Sequence, residues 1–417
     1  MRIIASDVTD FSSTDFIDLP MRPPIKQIAT GIDVGTHATR VVIVEHARGE
    51  SPRIIGTGFA ETHGLHHGYI VNQGDAAKSI STAIAHAEKM AGLKIRNAFL
   101  SVGGVSIESI ISHGTSIISR ASGEVSEQDI KKAVLEAEEN LPRIANKRII
   151  YRIPLRYKLE GKEVLGTPHG MAGTKLEVKM LFVTCLEQHL NDMIKTIEDL
   201  GIEVDEVVPS SIAAGHVALT KKQRSVGSAL VNIGAETASI AVFENDIPIS
   251  LQVFPFGSTN ITNDIAIGLK IPLEEAEKVK ITGSAPLSAE NKQAHTRSKK
   301  KLEEIIEARL CDIFELIESH LKKINRSGLL PAGIILTGGG SGIATIEDIA
   351  KAVLNLPSST AQPSIATSAG KHIVKDSSWL VAYGLCIYGL SKPKDPTEAT
   401  MGSALKILKS WVKPFLP

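Results

Sequence analysis

From Ile28 onward the chain alternates β-branched apolar runs with stretches of helical period. Gly31 to Glu45 reads as two apolar strands around a tight turn, a hairpin, and Ala76 to Ala91 reads as an amphipathic helix. Comparing the chain with itself, Ile32-Asp33-Val34-Gly35-Thr36 followed by Arg40 to Glu45 matches Val231-Asn232-Ile233-Gly234-Ala235 followed by Ser239 to Glu244, at a constant offset of 199 residues. An apolar strand ending in Asp/Asn-x-Gly, a turn and a second apolar strand, used twice, predicts two related lobes with a ligand cleft between them. A third element, Ile334 to Thr337 running into Gly338-Gly339-Gly340-Ser341-Gly342, reads as a buried strand, a glycine turn and a helix from about Thr345 to Leu354. Between the two hairpins, Ser126 and Asp129 stand at capping spacing ahead of a stripe of Ile130, Val134, Leu135 and Ala137. The basic stretch Lys292, Arg297, Lys299, Lys300 and Lys301 enters a long helix reaching about Ile324.

The two ends differ in character. Residues 1–27 are acidic and Ser/Thr-rich and close on Pro20, Pro23 and Pro24, which reads as a flexible leader. The most apolar run, Trp379 to Leu390, falls well short of the roughly 20 residues that span a bilayer. A polar linker at 391–403 leads into a tail, 404–417, in which Leu405, Ile407, Leu408, Trp411, Val412 and Phe415 fall on one helical arc and Lys406, Lys409 and Lys413 on the other. With Ser403 as cap, Pro414 near the end and no acidic residue after Glu398, this reads as a cationic amphipathic helix lying in a membrane surface. The competing reading is a helix docked on the protein's own core.

Composition narrows the classes. At 417 residues and 43% hydrophobic content the chain can build one large core or several smaller ones. Lys+Arg and Asp+Glu are both 46, with no long block of one sign in the body of the chain, which argues against a nucleic-acid partner. Cys185, Cys311 and Cys386 lack metal or disulfide spacing and read as core thiols of a reducing cytoplasm. No apolar stretch follows Met1 and Arg2 that would make a signal peptide.

The first hairpin has what a magnesium-bound triphosphate needs: close backbone donors, a carboxylate and a cation. Gly35, Thr36 and His37 form the turn, Asp33 at the strand end would hold Mg2+ through water, and Arg40 on the return strand would reach the phosphates. Alone, this is also how an ordinary Asp-Gly hairpin reads. Hairpin, hairpin and strand-glycine turn-helix, in that order, resemble the two phosphate elements and the adenosine element of the actin-like ATPases. The resemblance implies nucleotide contacts at Asn232, Gly234, Ala235, Glu236 and Thr237 in the second hairpin and at Gly338, Gly339, Gly340 and Gly342 in the third element. It also points to Glu277 and Lys280 near the ribose, where a solvated helix face is the competing reading.

Gly64-Leu65-His66-His67-Gly68-Tyr69-Ile70-Val71-Asn72, Ser126 to Ile130, Ile153 to Tyr157 and above all Gly170-Met171-Ala172-Gly173-Thr174-Lys175-Leu176-Glu177 resemble the FtsA family within that superfamily. The implied fold is α/β, a two-lobed actin-like ATPase with a small inserted α+β subdomain and a C-terminal amphipathic helix. Lobe I takes 28–106 and 184–227 and closes with 358–390; the insertion takes 107–183 and lobe II 228–357. The family implies ATP and Mg2+ as ligands, and a tether at the cytoplasmic face of the inner membrane, at the division septum. Its partners would be the C-terminal peptide of FtsZ, other copies of the chain in a filament, later division proteins through the insertion, and anionic lipids. The peptide would dock beside Arg297, Lys299 and Lys300.

The second hairpin departs from the pattern at three positions. The second hairpin of actin-like ATPases usually ends its strand in Asp, whereas here Asn232 stands there, and Ala235 and Glu236 replace turn glycines. An amide carries no charge to hold magnesium or polarise water, so weak or absent hydrolysis is expected, with no catalytic residue assigned. Glu236 is the nearest carboxylate that could restore the charge. The alternatives are a PilM-like pilus scaffold and, on the same fold, a sugar kinase, for which no candidate Asp base is evident.

Overall fold

The computed structural model describes residues 26–47, 49–119, 122–142, 145–284, 292–362 and 376–392. The leader up to residue 25 and the tail helix read at Leu405 to Phe415 lie outside the described residues, as does the side chain of Arg297.

The chain forms β1 (Lys26–Val34), β2 (Ala38–Ala47), β3 (Arg53–Glu61), the short β4 (Leu65–His66) and β5 (Tyr69–Ile70), α1 (Gln73–Ala91) and β6 (Asn97–Val102). After β7 (Glu108–Ile117), α2 (Glu127–Glu139), β8 (Lys147–Leu159), β9 (Lys162–Val164) and β10 (Lys175–Leu186) come α3 (Glu187–Glu198), β11 (Glu203–Pro209), α4 (Ser210–Ala218) and α5 (Lys221–Val226). The remainder is β12 (Ser228–Ile233), β13 (Ala238–Glu244), β14 (Ile247–Phe254), α6 (Ser258–Leu269), α7 (Leu273–Thr282), α8 (Lys292–Lys323), β15 (Ile334–Thr337), α9 (Ile346–Leu354), β16 (Ser358–Thr360) and α10 (Leu380–Ser391).

One sheet has the order β11-β6-β1-β2-β3. Its central strands β1 and β2 are apolar on both faces because both are covered. Ile32, Val41 and Ile43 meet Ile80 and Ala83 of α1 and Met193 and Ile197 of α3, while Ala29, Val42 and Val44 meet Ala213 of α4 and Ala382 and Leu385 of α10. At Gly31 a Cβ would lie 2.1 Å from the Ala382 carbonyl oxygen, so α10 rests backbone to backbone on the strand that carries Asp33. β1 starts at Lys26, ahead of the apolar pattern that begins at Ile28, because Lys26 pairs with Ala47 in the ladder and with the Glu45 carboxylate at 3.1 Å. α1 starts three residues before its apolar stripe, at the position set by the Asn72 cap on the Asp75 N–H.

The second sheet runs β16-β15-β12-β13-β14-β7-β10-β8-β9. Its first five strands pack on α6 to α9 through Ile261, Ile265, Leu310, Phe314, Ile317 and Ala350. The strands of the inserted segment continue it through one pairing, Gln252 to Glu108. Their own core is formed with α2, which begins at the reciprocal Ser126–Asp129 capping box and buries Ile130, Ala133, Val134 and Ala137. Leu135 is not part of that stripe: it is 59% exposed, because a helix turns about 100° per residue and carries it away from the face of Val134. Cys185 and Cys386 are buried, whereas Cys311 is half-buried at the edge of the lobe II core and not a full core thiol.

His320 of α8 is buried against Phe254 and lies 2.9 Å from the Ser250 hydroxyl through Nε2. Burial, helped by Lys323, pulls its imidazole down to about 4. The fold holds the neutral ring, so its contribution is complete above the unfolded value near 6.5 and is lost as pH falls from there toward 4. With allowance for solvent at the ring edge this amounts to about 2 kcal/mol. Denaturant titrations at pH 7 and pH 4.5 should show a stability loss smaller by about that amount in His320→Leu than in wild type.

Candidate functional site

The two hairpins found by self-comparison have the same geometry. Gly35 N–H donates to the Ala38 carbonyl at 3.1 Å, and Gly234 N–H donates to that of Thr237 at 2.8 Å. Asp33 stands opposite Arg40 as Asn232 stands opposite Ser239, so the repeat offset is kept pair by pair. Each first strand also has a parallel neighbour that ends in glycines: β6 runs into Gly103-Gly104 beside β1, and β15 into Gly338-Gly339 beside β12. Each lobe thus has a first strand that ends in a glycine turn beside a parallel neighbour that also ends in glycines, and turns of this kind offer backbone amides to an anion.

On the lobe I side, Asp33 accepts a hydrogen bond from the Ser101 hydroxyl at 2.6 Å. Burial pushes the Asp33 carboxyl up, and Ser101 and Arg40 offset this only in part. Arg40 lies between the rings of Phe59 and Trp379, at 5.6 and 5.8 Å, and its Nε is buried without a hydrogen-bond partner. Burial draws its guanidinium down while Asp33 and Asp376 counteract. Thr36 does not stand free, since its Oγ1 accepts from the Gly68 N–H at 3.1 Å, and His37 is exposed at the turn.

On the lobe II side, the N-terminus of α6 meets the second turn: Ser258 N–H donates to Gly234 O at 2.9 Å and Thr259 N–H to Ala235 O at 2.8 Å. Lys280 is nearly buried, donating to Ser258 O at 3.2 Å, to the Thr262 hydroxyl at 2.9 Å and to Glu277 at 2.7 Å. Burial works against charge on Glu277, but Lys280 and Thr262 outweigh it and hold its carboxyl below the usual range. The pair therefore ties α7 to α6 behind the turn, with Lys280 withdrawn from solvent and the Glu277 side chain still 44% exposed. Glu236 is also engaged, because its carboxylate accepts the His67 N–H at 2.5 Å and lies 3.2 Å from His66 Nδ1. It faces lobe I and is not poised to replace the charge missing at Asn232.

Gly339–Gly342 form a single 3-10 turn ahead of α9. A cavity of about 400 Å³ opens here, lined by Gly338, Gly339, Ser341, Gly342, Glu347 and Asp376 among others. Ser341 and Ser377 share a hydroxyl contact at 2.9 Å, and Thr337 donates to Ser377 O at 3.0 Å, which fastens the glycine turn to the segment entering α10. Sequence reasoning missed Ser101, Asp376, Ser377 and Trp379. Ser101 had a signal, the run Leu100-Ser101-Val102-Gly103-Gly104, which repeats the strand-to-glycine pattern of β15. Lys299 and Lys300 are exposed and each faces a glutamate one turn on, Glu303 at 3.9 Å and Glu304 at 3.7 Å, so the basic edge expected there is balanced by acid.

Comparison with known proteins adds lineage to this geometry. Residues 104–184 match the family model described as the SHS2 domain inserted in FtsA, and residues 229–384 match that of cell division protein FtsA. The cell division protein FtsA of Bacillus subtilis is 30% identical over 375 residues, covering 86% of this chain and 82% of that one. Among solved structures, a PilM-PilN type IV pilus biogenesis complex superposes with a TM-score of 0.65 at 17% identity, covering 88% of this chain and 99% of its own. MreB 5 of Spiroplasma citri bound to AMPPNP superposes at 0.50 with 12% identity, covering 94% and 99%. Likenesses this distant in sequence establish the actin-like fold and no more. The sequence relation decides the family, and the chain belongs to the FtsA family of bacterial cell division proteins.

Proposed function

We infer that this FtsA-family protein binds Mg-ATP between its lobes and uses it mainly as a structural ligand while tethering FtsZ filaments to the inner membrane at the septum. The observation that carries the nucleotide reading is the pair of matched hairpin turns with Asp33 and Arg40 at the strand ends and one buried Arg40 donor lacking an acceptor. The residues fit the ligand: an anionic oxygen satisfies such a donor, and a hydrated cation favours the charge that burial opposes on Asp33. The Gly338 turn and its cavity would take the adenosine side. Bound nucleotide would stabilise the closed lobes and favour assembly with further copies of the chain.

Membrane attachment would come from the tail, whose apolar arc and three lysines combine insertion with attraction to anionic headgroups. No helix among the described residues is long and apolar enough to cross a membrane. The acidic C-terminal peptide of FtsZ would dock on lobe II near the start of α8, where exposed Lys299 and Lys300 would exchange their helical glutamates for the peptide, and the inserted segment would receive later division proteins. In co-sedimentation with anionic liposomes, FtsZ should pellet only when the chain is present, and Trp411→Glu should lower the bound fraction at least tenfold. Equal pelleting of wild type and variant would overturn the tether.

A further inference from the structure

One contact between the lobes joins the β4–β5 loop to the second hairpin turn and holds Glu236 away from the role the sequence offered it. His66 and His67, from the loop β4–β5 of lobe I, converge on Glu236 in the β12–β13 turn of lobe II. The two imidazole rings are 4.2 Å apart and tilted by 55°, an arrangement that adjacent residues reach here because His67 has a positive φ of 48° and is flanked by the left-handed Gly68. One ligand atom from each residue lies within 4.8 Å of the others, and His66 Nδ1 is already 3.2 Å from Glu236 Oε2.

We propose that His66, His67 and Glu236 form a site for a divalent transition metal, Zn2+ foremost, that clamps the two lobes together across the mouth of the cleft. Two imidazoles and one carboxylate are the donor set such an ion takes, and Zn–N and Zn–O bonds near 2.1 Å place neighbouring ligand atoms roughly 3.4 Å apart, a separation His66 and Glu236 nearly have. The hydrogen bond from His67 N–H pins the Glu236 carboxylate in place, as supporting contacts do for metal ligands. The His66 side chain is 62% exposed and that of Glu236 23%, so the ion has an entry path and a position left for water. Because the ligands are split between lobes, the ion favours the closed arrangement, and the inference does not depend on nucleotide binding.

The test uses the nucleotide-free full chain, with Zn2+ affinity measured by competition against a chromophoric chelator, and with Co2+ as a spectroscopic probe. One Zn2+ per chain should bind tightly, with Co2+ giving the intense visible bands of a four-coordinate site, and His66→Ala and Glu236→Gln should each weaken binding at least tenfold. Zn2+ should also raise the melting temperature of wild type and not of Glu236→Gln, which removes only the lobe II ligand. Binding no tighter than millimolar, or binding that Glu236→Gln leaves unchanged, would overturn the clamp; in the second case the adjacent histidines alone would hold the ion.

Discussion

Gly338→Val is expected to lower ATP affinity at least 100-fold, about 2.7 kcal/mol, whereas Gly342→Ala, four residues along the same turn, is expected to change it less than threefold. Gly338 adopts φ 87° and ψ 169°, a region that side chains with a Cβ avoid. A Cβ there would stand 2.3 Å from Asn232 Oδ1 and 2.4 Å from the Ile233 carbonyl oxygen, so β15 and β12 would have to separate where they deliver their turns to the cleft. At Gly342 a Cβ meets nothing within 4 Å. Isothermal titration with a non-hydrolysable ATP analogue distinguishes the two, and circular dichroism monitors the fold. Similar affinities for both variants would mean that this turn is not a nucleotide element.

The repeated hairpin was legible because everything that defines it is local: two apolar runs, a turn residue and a fixed offset. Its turn bonds and register reproduce the offset in space. The Ser126 cap was legible for the same reason, since the capping box is closed within four residues. Ser101 was not, because its link to Asp33 depends on a parallel pairing of β6 with β1 across more than sixty residues, and parallel strands leave no turn in the sequence to announce them. Trp379 and Asp376 were hidden for a related reason. They reach Arg40 only because α10, distant in the chain, lies on β1 and β2.

Residues whose chemistry seemed self-evident were the ones most changed by their surroundings. The charged pair Glu277 and Lys280 reads from the sequence either as a ribose contact or as a solvated face, because helix spacing does not show the α6 carbonyl to which Lys280 donates. Glu236 looked like a spare carboxylate for the cleft, and its partner, the His66-His67 loop, lies 169 residues earlier in the chain. Lys299 and Lys300 read as a basic edge because they are consecutive in sequence, whereas the helix brings Glu303 and Glu304 beside them one turn on.

Asn232→Asp is expected to raise Mg2+-dependent phosphate release at least tenfold over a wild-type rate near background. Asn232 occupies in lobe II the place that Asp33 holds in lobe I, at the end of the first strand, opposite Ser239 and beside Thr337 of the parallel neighbour. Asp33 has a hydroxyl donor and a nearby guanidinium; Asn232 offers the cleft only an uncharged amide. A carboxylate at that strand end adds a negative charge that can hold hydrated magnesium and orient a water toward the terminal phosphate, and charge placed so in a water-poor site is worth on the order of ten- to a hundredfold or more. The side chains have the same shape, so the strand register and the Gly338 turn above it should survive the change. Glu236 will not mask the effect, since its carboxylate is held by the His67 N–H. The gain should vanish when EDTA replaces magnesium, which separates metal-assisted hydrolysis from contaminating phosphatase. If wild type already turns ATP over rapidly and Asn232→Ala keeps that rate, the hydrolytic charge resides elsewhere in the cleft and this assignment of Asn232 is wrong.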